Sequence, residues 1–158
     1  MNGDEKTENQ STEAEIQRYM QVLQLLMLDF QFMEEGLRGY VSTAYELIRT
    51  KMHGILPFKL SRRNLTKDAL GKLLDKYEQL SDRADLVKEI RSLQAVRNHC
   101  AHQGLLLTSE EQNDGTFLAS EIGKLTALRE RTRTCVCNLL EECRTIAADE
   151  SAPRAEST

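Results

Sequence analysis

Residues 82–104, DRADLVKEIRSLQAVRNHCAHQG, carry the reading that decides the fold. At 3.6 residues per turn, Leu86, Ile90, Leu93, Arg97 and Cys100 fall within roughly 40° of one line along a helix. Asp82 stands at the start of this pattern, and Gly104 is placed to end it in a left-handed turn. A helix over 83–103 with an apolar stripe is the expectation. Arg97 lies in the middle of that stripe. An isolated buried guanidinium costs several kcal/mol, so a chain that puts Arg there has either a carboxylate waiting or a cleft opening at that point. Glu34 and Glu35 are the candidate partners.

Outward from this helix, the rest of the chain is helical in pattern too. Upstream, apolar residues recur at three- and four-residue steps from Ile16 to Ile48, which predicts a first helix over 14–53, interrupted by no proline. Such a helix is much longer than average. Gly36 and Gly39 mark a bend or a close helix contact, and Gly54 and Pro57 end it. Its apolar face is too long for one four-helix core, so part of it is expected to pack against a second subunit. Residues 54–65 form a loop, with Ile55, Leu56, Phe58 and Leu60 expected to pin it to the bundle while Lys59, Arg62 and Arg63 project. A second helix over 67–80 follows, capped by Thr66 or Asn64. A loop over 105–115 ends in the turn signal Asn113-Asp114-Gly115, and Leu105, Leu106 and Leu107 are expected to close over the core. Helix four runs over 117–148, on the seam Leu118, Ile122, Leu125, Arg129, Thr132, Val136, Leu139, Cys143 and Ile146.

The chain of 158 residues is read as one domain over 14–148 between a disordered acidic tail, 1–13, and a flexible C-terminal tail, 149–158. The fold expected is all-α, an up-and-down bundle of four main helices with a long first helix. The absence of Trp and the scarcity of Pro, beside abundant Leu, Glu, Lys and Arg, favour helices over a sheet. No apolar run is long enough for a membrane span or a signal peptide, so a cytoplasmic protein without a membrane partner is expected. The four cysteines lie in helical patterns and read as reduced thiols.

The net charge of −4 lies entirely in residues 1–15. Between 49 and 76 eight cations stand against Asp68 and Asp75. That basic segment fits either a track for a phosphate backbone, with Lys59, Arg62 and Arg63 as the RNA-binding residues, or a solvated face.

The short stretch Arg97-Asn98-His99-Cys100-Ala101-His102 carries the chemistry. Arginine presents a planar fork of donors to phosphate oxygens. Histidine is the side chain suited to proton transfer near neutral pH. Asn98 lies one turn before His102, within reach of its ring or of a phosphate. An ideal helix sets Arg97 and His102 about 140° apart, so Arg's reach, distortion near Gly104 or a second chain must bring them to one phosphate. His99, Cys100 and His102 also suggest zinc, but His99 and Cys100 are adjacent and no fourth ligand stands at a familiar spacing. No metal and no cofactor is expected, and His99 is assigned a supporting place. Arg and His at a helix end also fit a merely structural reading, in which they cap carbonyls.

Arg97, Asn98 and His102, late in the third of four helices, resemble the Arg-x(4–6)-His signature of the HEPN superfamily. The resemblance implies a HEPN-like helical fold and a metal-independent endoribonuclease of the kind found in toxin–antitoxin, abortive-infection and other antiviral defence systems. It implies a homodimer in which the motifs of two chains face one another, and two copies of His102 as base and acid. Catalytic roles fall to Arg97, His102 and Asn98. The partners implied are RNA and a cognate antitoxin or other defence-system protein. Several members keep the fold without activity, so the alternative is a non-catalytic helical module that binds RNA or a protein. The toxins of HEPN–MNT pairs carry a tyrosine two residues after the motif histidine, and Gly104 stands there in this chain.

Overall fold

The computed structural model describes residues 4–103 and 106–151, with side chains described over 12–102 and 106–148. The elements are α1 (Asp4–Lys51), a 3-10 turn (Arg62–Leu65), α2 (Leu70–Glu78), α3 (Ala84–Gln103), a short α4 (Ser109–Gln112) and α5 (Gly115–Ser151). No strand occurs among the described residues. The protein is thus an all-α bundle with a long first helix. At 1.5 Å per residue, the 48 residues of α1 make a rod of about 72 Å. This helix is described from Asp4, upstream of the expected start at 14, and α5 is described to Ser151. The turn expected at Gly104 and the place of Leu105 lie outside the described residues; Leu107 packs against the core, whereas Leu106 is exposed and does not close over it.

Cross-helix contacts fix the directions. Asp29 of α1 faces Arg129 of α5, and a Cβ on Gly36 would stand 3.4 Å from Leu139. Gly39 lies beside Cys143. These pairs ascend together, so α1 and α5 run parallel. In contrast, Arg83 pairs with Glu142 and Arg131 with Glu89, so α3 runs against α5. The alternation survives because residues 52–69 bring the chain back along α1 without an α-helix. Gly54, at φ +81°, makes the turn out of α1 that a side chain would strain. Arg38 then fastens the return, donating to the carbonyls of Leu65 and Asp68 at 3.2 Å each.

The core is the joint apolar face of α1, α2, α3 and α5. Leu26, Met33, Leu37, Leu73, Leu74, Ile90, Leu93, Leu118 and Leu139 are fully buried, each contributing about 1.5–3 kcal/mol relative to exposure. Tyr40 locks the α2 end by an edge-on contact with Tyr77, ring centroids 4.7 Å apart, and by donating to the Leu80 carbonyl at 3.1 Å. The polar break at Arg129 and Thr132 in the α5 seam is structural. Arg129 Nε meets the Asp29 carboxylate at 2.9 Å, and the buried Thr132 hydroxyl donates to the Leu128 carbonyl.

Capping departs from expectation at two places. Neither Thr66 nor Asn64 caps α2, whose N-cap is Ala69. Asn64 instead forms a reciprocal box with Ser61 around the 3-10 turn. The loop over 105–115 also contains α4, held by a capping box between Thr108 and Glu111. Asp114 accepts from the backbone N–H groups of Thr116 and Phe117 at 3.0 Å and so starts α5.

Candidate functional site

The last turns of α3 hold the motif. Leu86, Ile90, Leu93 and Cys100 are buried as the stripe requires, but Arg97 is only half-buried. Of the two expectations for Arg97, a waiting carboxylate is not met among the described residues, and the side chain is not enclosed. By its last turns the packed face of α3 has narrowed to Cys100, and Arg97 lies at its margin. One Arg97 Nη1 donates to the Asn98 carboxamide oxygen at 3.4 Å. Arg97 has no ion pair among the described residues. Asn98, His99 and His102 are exposed.

Glu34 and Glu35 do not serve Arg97. Both pair with Arg38 on their own helix, Glu34 at 3.2 Å and Glu35 in a close contact. Arg38 has 12% of its side chain exposed, and two carboxylates and two carbonyls surround it. Spacing along one helix, Glu34 and Glu35 at i−4 and i−3 from Arg38, was the available signal for that pairing.

α3 stays helical through Gln103. Residues five apart therefore keep the roughly 140° divergence of an ideal helix, and within one chain Arg97 and His102 point to different sides. His99 faces a cavity of about 220 Å³ with Tyr19, Cys100 and Glu121 in its wall. Burial, and after it the charge of Glu121, pushes the Cys100 thiol up from its ordinary value. Among the described residues no group of three His, Cys, Asp or Glu side chains is placed to hold a metal ion.

Beside the motif runs a groove of about 420 Å³ between α1 and α3, with Met27, Leu28, Gln31 and Ala101 among its walls. Its outer rim continues into an exposed apolar stripe on α1, Leu25, Leu28 and Phe32, with Phe32 54% exposed. Those residues stand at i, i+3 and i+7, one face of the helix.

Lys59, Arg62 and Arg63 are exposed and make no ion pair among the described residues. They are not gathered with the motif. Cys100 and Ala101 lie level with Met27, and from Met27 to Lys51, where the basic segment leaves α1, the helix runs about 36 Å. The loop departs from expectation as well. Of the four residues expected to pin it, Phe58 is held, edge-on to Tyr45 at 5.7 Å, while Ile55, Leu56 and Leu60 are exposed.

No helix among the described residues is long and apolar enough to cross a membrane. No family model matches the chain, and neither a curated protein nor a solved structure matches it.

Proposed function

We propose that the protein is a metal-independent endoribonuclease of HEPN type, acting in bacterial toxin–antitoxin or phage defence. The observation that carries this reading is a half-exposed Arg97 without an ion pair among the described residues, on the same helix end as an exposed His102. A guanidinium left unneutralised on the same helix end as a proton-transfer group is suited to a phosphodiester. In the proposed reaction a base takes the proton of a ribose 2′-hydroxyl, and that oxygen attacks the adjacent phosphorus. The P–O5′ bond breaks as an acid gives a proton to the leaving oxygen. Arg97 holds the negative charge of the phosphorane, a stabilisation that often matters as much as proton transfer. Asn98 orients Arg97 or the phosphate.

One chain offers one His102, and its Arg97 points elsewhere on the helix. A second copy docked along Leu25, Leu28 and Phe32 supplies the other acid–base group and closes the angular gap. The stripe's place beside Ala101, one residue from His102, supports that arrangement. Lys59, Arg62 and Arg63 are not needed for the cleavage step. A cognate antitoxin or defence-system partner and a cytoplasmic location belong to the same reading.

End-group analysis of the RNA products tests the proposal. A 2′,3′-cyclic phosphate and a 5′-hydroxyl are expected, and a 5′-phosphate product would overturn it. The divergence of Arg97 and His102 also favours a second reading, a non-catalytic bundle that binds RNA or a protein. RNA binding that survives the Arg97→Ala, His102→Ala double substitution, with no cleavage by the wild type, selects it.

A further inference from the structure

The turn at the C-terminal end of α1 has a surface that the bundle does not use. Residues 47–67 contain no Asp or Glu and six cations, Arg49, Lys51, Lys59, Arg62, Arg63 and Lys67. All six are exposed; Arg49 pairs with Glu46 on its own helix, and the other five make no ion pair among the described residues. Between them Ile55 is 70% exposed, Leu56 62% and Leu60 43%. Isolated exposed aliphatics need no explanation, but three within six residues, flanked by five cations without an ion pair among the described residues, do.

The turn is built. The backbone N–H groups of Ile55 and Leu56 both donate to the Met52 carbonyl, at 3.0 and 3.2 Å. Phe58 against Tyr45 and the buried Leu65 anchor the segment, so the outward aim of Ile55 and Leu56 is fixed by their neighbours. Arg49 and His53 join them around a hollow of about 440 Å³.

The geometry points to this turn as a docking site for the surface of a bilayer rich in anionic phospholipid. An interface of that kind accepts both halves of the feature. Aliphatic side chains enter the headgroup–acyl boundary, and Lys and Arg remain among the phosphates. An RNA backbone would engage the cations but leave Ile55 and Leu56 in water, since bases stack on aromatic and guanidinium planes and not on branched aliphatics. The contact lies on a membrane and does not cross it. It also stands about 36 Å of helix from the level of the motif, so it leaves that site open.

Co-sedimentation with phosphatidylcholine vesicles, with and without phosphatidylglycerol, tests the assignment on the full chain. The wild type is expected to bind only the anionic vesicles and to be released by salt. The Ile55→Ser, Leu56→Ser double variant is expected to bind roughly tenfold more weakly with an unchanged helical circular dichroism spectrum. Arg62→Ala, Arg63→Ala is expected to weaken binding as well. Failure of the wild type to bind anionic vesicles would overturn the proposal, as would equal binding by the Ile55/Leu56 variant. RNA binding by this segment, insensitive to Ile55→Ser and Leu56→Ser and without vesicle binding, would assign it to nucleic acid instead.

Discussion

At the scale of single residues, the charge that matters to the bundle is Asp29. It is 8% exposed and reaches one cation, Arg129 Nε, at 2.9 Å. Removing Arg129 leaves a carboxylate in a poorly hydrated position, an arrangement that costs more than the pair is worth. Arg129→Ala is expected to lower unfolding free energy by about 2–4 kcal/mol, measured by urea denaturation. Loss of under 0.5 kcal/mol would mean that water reaches Asp29. Thiols give a pH test. Burial is the main cause pushing the Cys135 thiol up from 9.0 to about 11, with Glu89 adding to it. The folded state therefore holds this proton more tightly than the unfolded chain does. Its contribution to stability is complete below about pH 9 and is lost as pH rises through about 11. Melting temperatures should fall over that window more steeply in the wild type than in Cys135→Val.

The partial exposure of Arg97 belongs to the same scale. Periodicity gives the direction of a side chain around the helix axis. It does not give the width of the packed face, which depends on where α1 and α5 stand. Leu86, Ile90 and Leu93 were legible because neighbours cover all of that face. Arg97 was not, because cover runs out at the end of α3. Arg38 was overlooked for the converse reason: its acceptors at Leu65 and Asp68 come from a return segment whose path no local pattern discloses.

At the scale of elements, the parallel pairing of α1 with α5 turns on Gly36. The helix passes through Gly36 unbroken, and the glycine serves close approach to Leu139. A methyl group at 3.4 Å is just accommodated, so Gly36→Ala should be neutral or stabilising by up to about 1 kcal/mol through helix propensity. Gly36→Leu should destabilise by about 1–3 kcal/mol as α1 and α5 are forced apart. Chemical denaturation of both variants checks this, and equal effects would mean that the two helices do not meet there. Element existence was readable from apolar spacing for α1, α2, α3 and α5. The capping box of α4 was readable too, in Thr108 and Glu111, but a four-residue helix has no periodicity to draw attention to it. The direction of α5 relative to α1 was not readable, since it follows from the route of residues 52–69.

For the whole molecule, the proposed ribonuclease chemistry requires that Arg97 and His102, on different sides of α3, be brought to one phosphate. The exposed stripe of Leu25, Leu28 and Phe32 offers the answer of a second copy, whose own motif then faces the first. Light scattering should give a dimer mass for the wild type and a monomer mass for Leu28→Glu, Phe32→Glu, with RNA cleavage lost in the monomer. A monomeric wild type that cuts RNA would remove the second copy from the mechanism.

The proposed function rests on metal-free cleavage by His102. Its most direct test is the single-turnover rate of cutting a mixed-sequence RNA in excess EDTA, wild type beside His102→Ala. Loss of an acid–base group predicts a rate lower by about 10²–10⁴-fold in the variant, with the wild-type rate unaffected by the chelator. Equal rates for the two proteins, or a wild-type rate abolished by EDTA, would contradict the account.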